Sequence, residues 1–212
     1  QDEVKLNKSI NSAVSKAIND MATKKPKTFS TTFKEFEQER LQELVKDWLK
    51  VEFDRSPFEV LEIEKNQEVT FDKIKFRLRR DRIDRLNDDD ESHWIIDYKT
   101  GSVEKRDWFE NTSLSERHRH YPRIKEPQML LYAVTSEYPL GGLFYACLKV
   151  GELKLDGEYV SEAILLSWEE ALKLATTEFR EGCAIVDPMD CTYCDLDGLC
   201  RIKNKKERPR RK

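Results

Sequence analysis

The sequence predicts an α/β fold, a mixed sheet of about four to six strands with helices on both sides. Three observations predict it. Apolar residues of the first third recur at helical steps, those from Pro57 onward recur at the two-residue step of strands, and helical and strand patterns alternate again beyond residue 125.

Phe36, Leu41, Leu44, Val45, Trp48 and Leu49 recur on helical spacing, with three- and four-residue steps from Leu41 onward, which draws one apolar stripe along a helix over 33–50. A polar helix over 4–22 precedes it, and Pro26 marks the loop 24–30 between them. The run 58–63 reads as a strand and 69–71 as part of another. Ile74, Phe76 and Leu78 then alternate with Lys75, Arg77 and Arg79, as one buried face requires. A polar turn, Asn87-Asp88-Asp89-Asp90-Glu91-Ser92, leads to the strand 94–99, so an antiparallel hairpin with an acidic tip is expected. The charged stretch 101–125 has the length of a functional loop. A helix over 126–136 and a buried strand over 142–150 follow. Ser167-Trp168-Glu169-Glu170 has the pattern of a capping box, opening a helix that runs to Glu181 and stops at Gly182. No internal repeat is present.

Composition narrows the functional classes. Hydrophobic residues make up 38% and charged residues 37% of 212, which describes a globular chain with a polar surface and a real core. No segment has the apolar length of a membrane span, so no membrane partner is expected. The chain opens Gln1-Asp2-Glu3-Val4-Lys5, neither an initiator methionine nor a signal peptide, and reads as a piece of a longer protein. Net charge is only -3, but basic residues concentrate in 73–85 and in the tail 203–212, either of which suits phosphate contacts. A solvated tail is the plainer account of the latter. Five cysteines, an odd number without an export signal, point to a reducing cytoplasm.

Strand alternation puts Asp97 and Lys99 on one face at the end of a hydrophobic strand. On the strand before it, regular alternation would set Asp81 on the polar face and Asp84 on the face of Ile74, Phe76 and Leu78. Asp81 is then the better partner for Asp97. Ile83 breaks the alternation, however, and a bulge over 80–82 would re-aim Asp84. Two carboxylates beside a backbone carbonyl make an oxygen-rich site that suits Mg2+ or Mn2+, with a lysine placed to stabilise developing charge. The alternative is a charged hairpin with ladder salt bridges, and on the residues alone the two stand level.

The runs Asp81-Arg82-Ile83-Asp84 and Asp97-Tyr98-Lys99-Thr100-Gly101, with Gln128 and Tyr132 four apart on a later helix, resemble the PD-(D/E)XK nuclease superfamily. Within it they resemble the RecB-like branch that includes the C-terminal nuclease domains of RecB and AddB. The resemblance implies a restriction-endonuclease-like core over 57–188, between an N-terminal helical segment (1–56) and a cysteine cluster with a basic tail (189–212). It implies that Asp81, Asp97 and the Tyr98 carbonyl bind metal, with Asp84 the alternative ligand. It further implies that Lys99 is catalytic and that Gln128 and Tyr132 line the site. The activity implied is a Mg2+-dependent deoxyribonuclease of the RecB-like exonuclease family, in a DNA repair or recombination protein with an associated helicase. Arg117, Arg119 and Arg123, with His118 and His120, are candidates to track the phosphate backbone. The chain departs from the family at Arg80, where an aliphatic residue is commoner, and in having no histidine on an early helix.

Cys191, Cys194 and Cys200 have the Cys-x2-Cys-x5-Cys spacing with which AddB-like nucleases hold a [4Fe–4S] cluster, using a fourth, distant upstream cysteine. No cysteine precedes the core here, so the cluster is expected in the full-length protein. Cys147 reads as a core residue and Cys183 as the nearest substitute. Zinc is the second choice for the cluster and idle thiols the third. Two rivals to nuclease activity stay open: an inactive nuclease-like domain that binds DNA or protein, and a metal-stapled interaction module.

Overall fold

The apolar stripe of the first third folds as a helical hairpin. Helices α1 (Asp2–Lys24) and α2 (Thr31–Phe53) pack Ile10, Val14 and Ile18 against Leu41, Val45 and Leu49. Ser30 caps α2, its hydroxyl accepting the Phe33 amide at 3.3 Å. The computed structural model describes residues 2–87, 92–109 and 123–183, with Asp195 and Leu199. No helix among them is long and apolar enough to cross a membrane.

Among the described residues five strands follow in one sheet, β1 (Phe58–Phe71), β2 (Ile74–Leu86), β3 (His93–Lys99), β4 (Leu140–Cys147) and β5 (Lys154–Tyr159), ordered as they occur in the chain. β3 and β4 are parallel and the other neighbours antiparallel, so the sheet is mixed. A parallel pair needs a crossover, and α3 (Pro127–Val134) lies within it. Among the elements of the described residues, α4 (Glu162–Arg180) comes last.

Alternation along β3 and β4 divides the core in two. Ile95 and Leu143 face α3 and α4, packing with Met129, Leu130, Trp168 and Leu172. Trp94, Ile96 and Phe144 face α2, packing with Trp48. The fold is therefore α/β with helices on both faces of a mixed sheet, as the periodicities predict.

Several elements differ from the sequence expectation. Residues 58–63 and 69–71 belong to one long strand, because Lys65, Asn66, Gln67 and Glu68 between them pair with Arg80, Arg79, Leu78 and Arg77 of β2. β5 was not expected, since Lys-Leu-Asp-Gly-Glu-Tyr lacks β-branched residues. Its Gly157 passes so close to β4 that an added Cβ would fall 2.1 Å from the Leu143 carbonyl oxygen. α4 begins earlier than the capping-box pattern suggests. Ser161 caps it, Ile164 and Leu165 extend its apolar stripe, and Ser167 lies inside the helix, donating to the Ile164 carbonyl at 2.7 Å.

β2 changes face along its length. Leu78 and Ile83, five positions apart, enter the same core cluster, which regular alternation forbids. The change of face falls between Arg80, whose guanidinium reaches α3, and Ile83, where the sequence suggests a bulge; on the partner strand Glu64, level with Asp81, has φ 54°, and the register shifts between Val60 and Glu62. In consequence Asp84 lies away from Leu78, on the α2 side with Glu52.

Arg80 accounts for its own departure from the family pattern. Its buried guanidinium donates to the carbonyls of Tyr132 (3.3 Å) and Thr135 (3.0 Å) and to the Thr135 hydroxyl (3.1 Å), tying the end of α3 to β2. Arg80→Met would leave these acceptors buried without that donor. The expected cost is about 1–3 kcal/mol, read as a lower urea midpoint at unchanged slope.

Candidate active site

The β2–β3 ladder ends at the pair Arg82 and Ile96. One step further Asp81 and Asp97 come level, and the strands part as β3 continues beside β4 through Tyr98 and Lys99. The Tyr98 amide, on the β2 edge, is taken up by a side chain instead of the ladder, donating to Asp81 Oδ2 at 2.9 Å. A residue's N–H and C=O leave a strand on the same edge, so the Tyr98 carbonyl also faces β2. The Lys99 carbonyl, on the other edge, accepts the Leu148 amide at 2.8 Å.

Asp97 is 2% exposed. Its Oδ1 accepts from Gln128 Nε2 at 3.3 Å, and the same nitrogen donates to the Tyr132 phenol at 2.7 Å. That phenol in turn donates to the Arg79 carbonyl. Gln128 and Tyr132 share one face of α3 by their i,i+4 spacing, and the helix thus closes over Asp97. Lys99 Nζ lies 2.6 Å from Asp97 Oδ2 and 5.8 Å from the centre of the Tyr145 ring. Burial raises the Tyr132 phenol above its usual range and pushes Tyr145 up to about 12, so both stay protonated donors at neutral pH. The structure therefore brings Asp81, Asp97, Tyr98, Lys99, Gln128 and Tyr132 together.

Asp84 is not among them. It lies fully buried on the α2 side, with Arg82 Nε at 2.6 Å, Arg82 Nη2 at 2.8 Å and Arg55 Nη2 at 2.8 Å. Glu52 of α2 closes the cluster through Arg55 (2.6 Å) and Arg82 (2.9 Å). Burial opposes the charge on Arg82, but Asp84, Tyr98 and Glu52 outweigh it and hold the guanidinium above its usual pKa. Sequence reading missed this cluster. Its one local signal is Glu52 and Arg55, three apart at the end of α2.

Of the other candidates, Arg123 is half-buried beside the Phe109–Ile124 bridge. Arg117, Arg119, His118, His120, Cys191, Cys194 and Cys200 lie outside the described residues. Cys147 is buried in β4, where burial raises its thiol, and Cys183 is exposed.

The donor set fits a hard divalent cation. Among the described residues no three His, Cys, Asp or Glu side chains cluster as a ready-made metal site. Asp97 Oδ2, however, is buried with the Lys99 ammonium at 2.6 Å as its one neighbour of opposite charge among the described residues, and Asp81 and the Tyr98 carbonyl edge stand on the β2 side of the same gap. Two carboxylate groups and a carbonyl, all oxygen, are what Mg2+ or Mn2+ selects.

A family model of the PD-(D/E)XK nuclease superfamily matches residues 2–201, from α1 to beyond α4. The chain belongs to the PD-(D/E)XK nuclease superfamily. The mixed five-stranded sheet between helices is consistent with the restriction-endonuclease-like core of that superfamily. Superfamily membership suggests a nuclease-like function with DNA as substrate class and divalent metal ions as the usual cofactor. No curated protein matches the chain.

Burial raises the Asp97 carboxyl above the usual aspartate range; Lys99 works against this, and Asp81 adds to it. Folding thus favours the protonated acid, and stability falls as pH rises from the unfolded aspartate range through the raised value. Metal-free Asp97→Asn is therefore expected to melt above the wild type at mildly alkaline pH. Added Mg2+ should raise the melting temperature of the wild type alone. A variant that melts lower would contradict the dominance of burial.

Proposed function

We propose that this chain is the nuclease domain of a DNA repair or recombination protein of the RecB/AddB-like branch, hydrolysing DNA phosphodiesters with Mg2+ or Mn2+. The observation that carries this reading is the meeting of Asp81 and Asp97 where the β2–β3 ladder ends, with Lys99 at 2.6 Å from Asp97. In this reading Asp81, Asp97 and the Tyr98 carbonyl hold the cation, and Asp84 does not. When bound, the cation lowers the pKa of a water molecule and neutralises charge on the phosphodiester. Lys99 carries its ammonium toward the attacked phosphate and stabilises the negative charge that builds there. Gln128 orients the Asp97 carboxylate, and Tyr132 fixes Gln128 through its bond to the Arg79 carbonyl. Water attacks directly, and no covalent intermediate forms.

The same reading divides the chain into a helical segment 1–56, a nuclease core 57–188 and a cysteine cluster with a basic tail over 189–212. The spacing of Cys191, Cys194 and Cys200 supports a [4Fe–4S] cluster completed by a cysteine upstream of this chain. Arg117, Arg119 and Arg123 track the DNA backbone. A helicase domain or subunit is the proposed partner, and the cytoplasm the proposed compartment.

Asp81→Ala, Asp97→Ala and Lys99→Ala are each expected to lower Mg2+-dependent cleavage of linear DNA by at least about 100-fold. Cleavage equal to wild type by Asp97→Ala would remove the assigned site. Iron and sulfide analysis of a longer form, purified without oxygen, is expected to give about four irons per chain. A colourless, iron-free protein would overturn the cluster.

A further inference from the structure

Asp81 and Arg82 are consecutive, and both bind Tyr98. Asp81 takes its amide at 2.9 Å, and Arg82 Nη1 donates to its phenol at 2.8 Å. The two grips lie on opposite sides of β3, immediately past the last rung that joins it to β2. On the α2 side the ring also meets Trp48 edge-on, with centroids 6.0 Å apart.

Arg82 is itself held. Asp84 binds it through both carboxylate oxygens, Glu52 binds it from α2, and Arg55 bridges those two acids from their far side. The Arg55 guanidinium lies 4.2 Å over Phe58 and 4.6 Å over Trp94, so the cluster is walled by aromatic rings. Two acids and two arginines balance in charge. Such buried sets contribute little net stability, because desolvation offsets their attraction. What they do supply is a fixed geometry, and the one fixed here is the position of Tyr98.

We infer that Arg82 is a positioning residue for the metal site, braced by Asp84, Glu52 and Arg55, and that its bond to the Tyr98 phenol aims the Tyr98 backbone carbonyl at the cation. This rests on the metal-site reading above. It gives the second aspartate of Asp81-Arg82-Ile83-Asp84 a task other than ligation, on the opposite side of the sheet from Asp97. It also couples α2 to the site through Glu52.

The test is calorimetric titration of the metal-free 212-residue chain with Mn2+. Tyr98→Phe deletes only the phenol oxygen and is expected to weaken Mn2+ binding about tenfold, as loss of an outer support does at metal sites. Its melting temperature should stay at the wild-type value. A merely structural role would lower the melting temperature and leave Mn2+ affinity unchanged. Arg82→Lys, which keeps the charge but loses the planar fork, should weaken Mn2+ in the same way. Wild-type affinity in Tyr98→Phe, alongside lost binding in Asp97→Ala, overturns the positioning role and leaves the metal site standing. Absence of Asp97-dependent Mn2+ binding in the wild type overturns both.

Discussion

β3 is shared between two neighbours that it cannot follow together. It pairs with β2 through Ile96 and with β4 through Lys99, so over its last residues the β2 side of the strand is bare of ladder partners. A buried amide left there would carry the cost of an unmade hydrogen bond. Asp81 removes that cost at Tyr98, and in doing so its carboxylate is drawn into the gap beside Asp97. The convergence of two acids, an arrangement that electrostatics opposes, is thus built into the way the sheet ends.

Two buried aspartates on either side of this gap meet different fates. Asp84 receives two arginines and is neutralised in place. Asp97 is given one lysine, an amide donor at 3.3 Å and a second acid nearby, and its carboxyl is raised by burial that these partners do not offset. Charge left uncompensated in a buried oxygen-rich site is a setting that a divalent cation completes. Asp84 has no such deficit. The difference in compensation, more than proximity, separates the proposed ligand from the proposed brace.

Much of the fold is legible in the sequence because it is written in periodicity. The stripe of Leu41, Val45 and Leu49 and the alternation along Ile74, Phe76 and Leu78 become a helix and a strand near the expected places. Asp97 and Lys99 are legible for the same reason, since a regular strand must put them on one face. The choice between Asp81 and Asp84 is not, because it turns on where β2 changes face, between Arg80 and Ile83 and level with the positive φ of Glu64, and alternation alone does not locate that point. β5 is invisible to propensity, because close packing of Gly157 on β4 holds it rather than its own residues. Arg80 shows the same limit: alone it reads as a departure from a family pattern, and only the end of α3 explains it.

Anomalous diffraction from crystals soaked in Mn2+ tests the central claim most directly, since it locates the cation without reference to activity. A peak is expected between the Asp81 and Asp97 carboxylates, at about 2.0–2.3 Å from an oxygen of each, on the Tyr98 carbonyl edge of β3. A peak against Asp84 on the α2 side, or one that touches neither Asp81 nor Asp97, would contradict it.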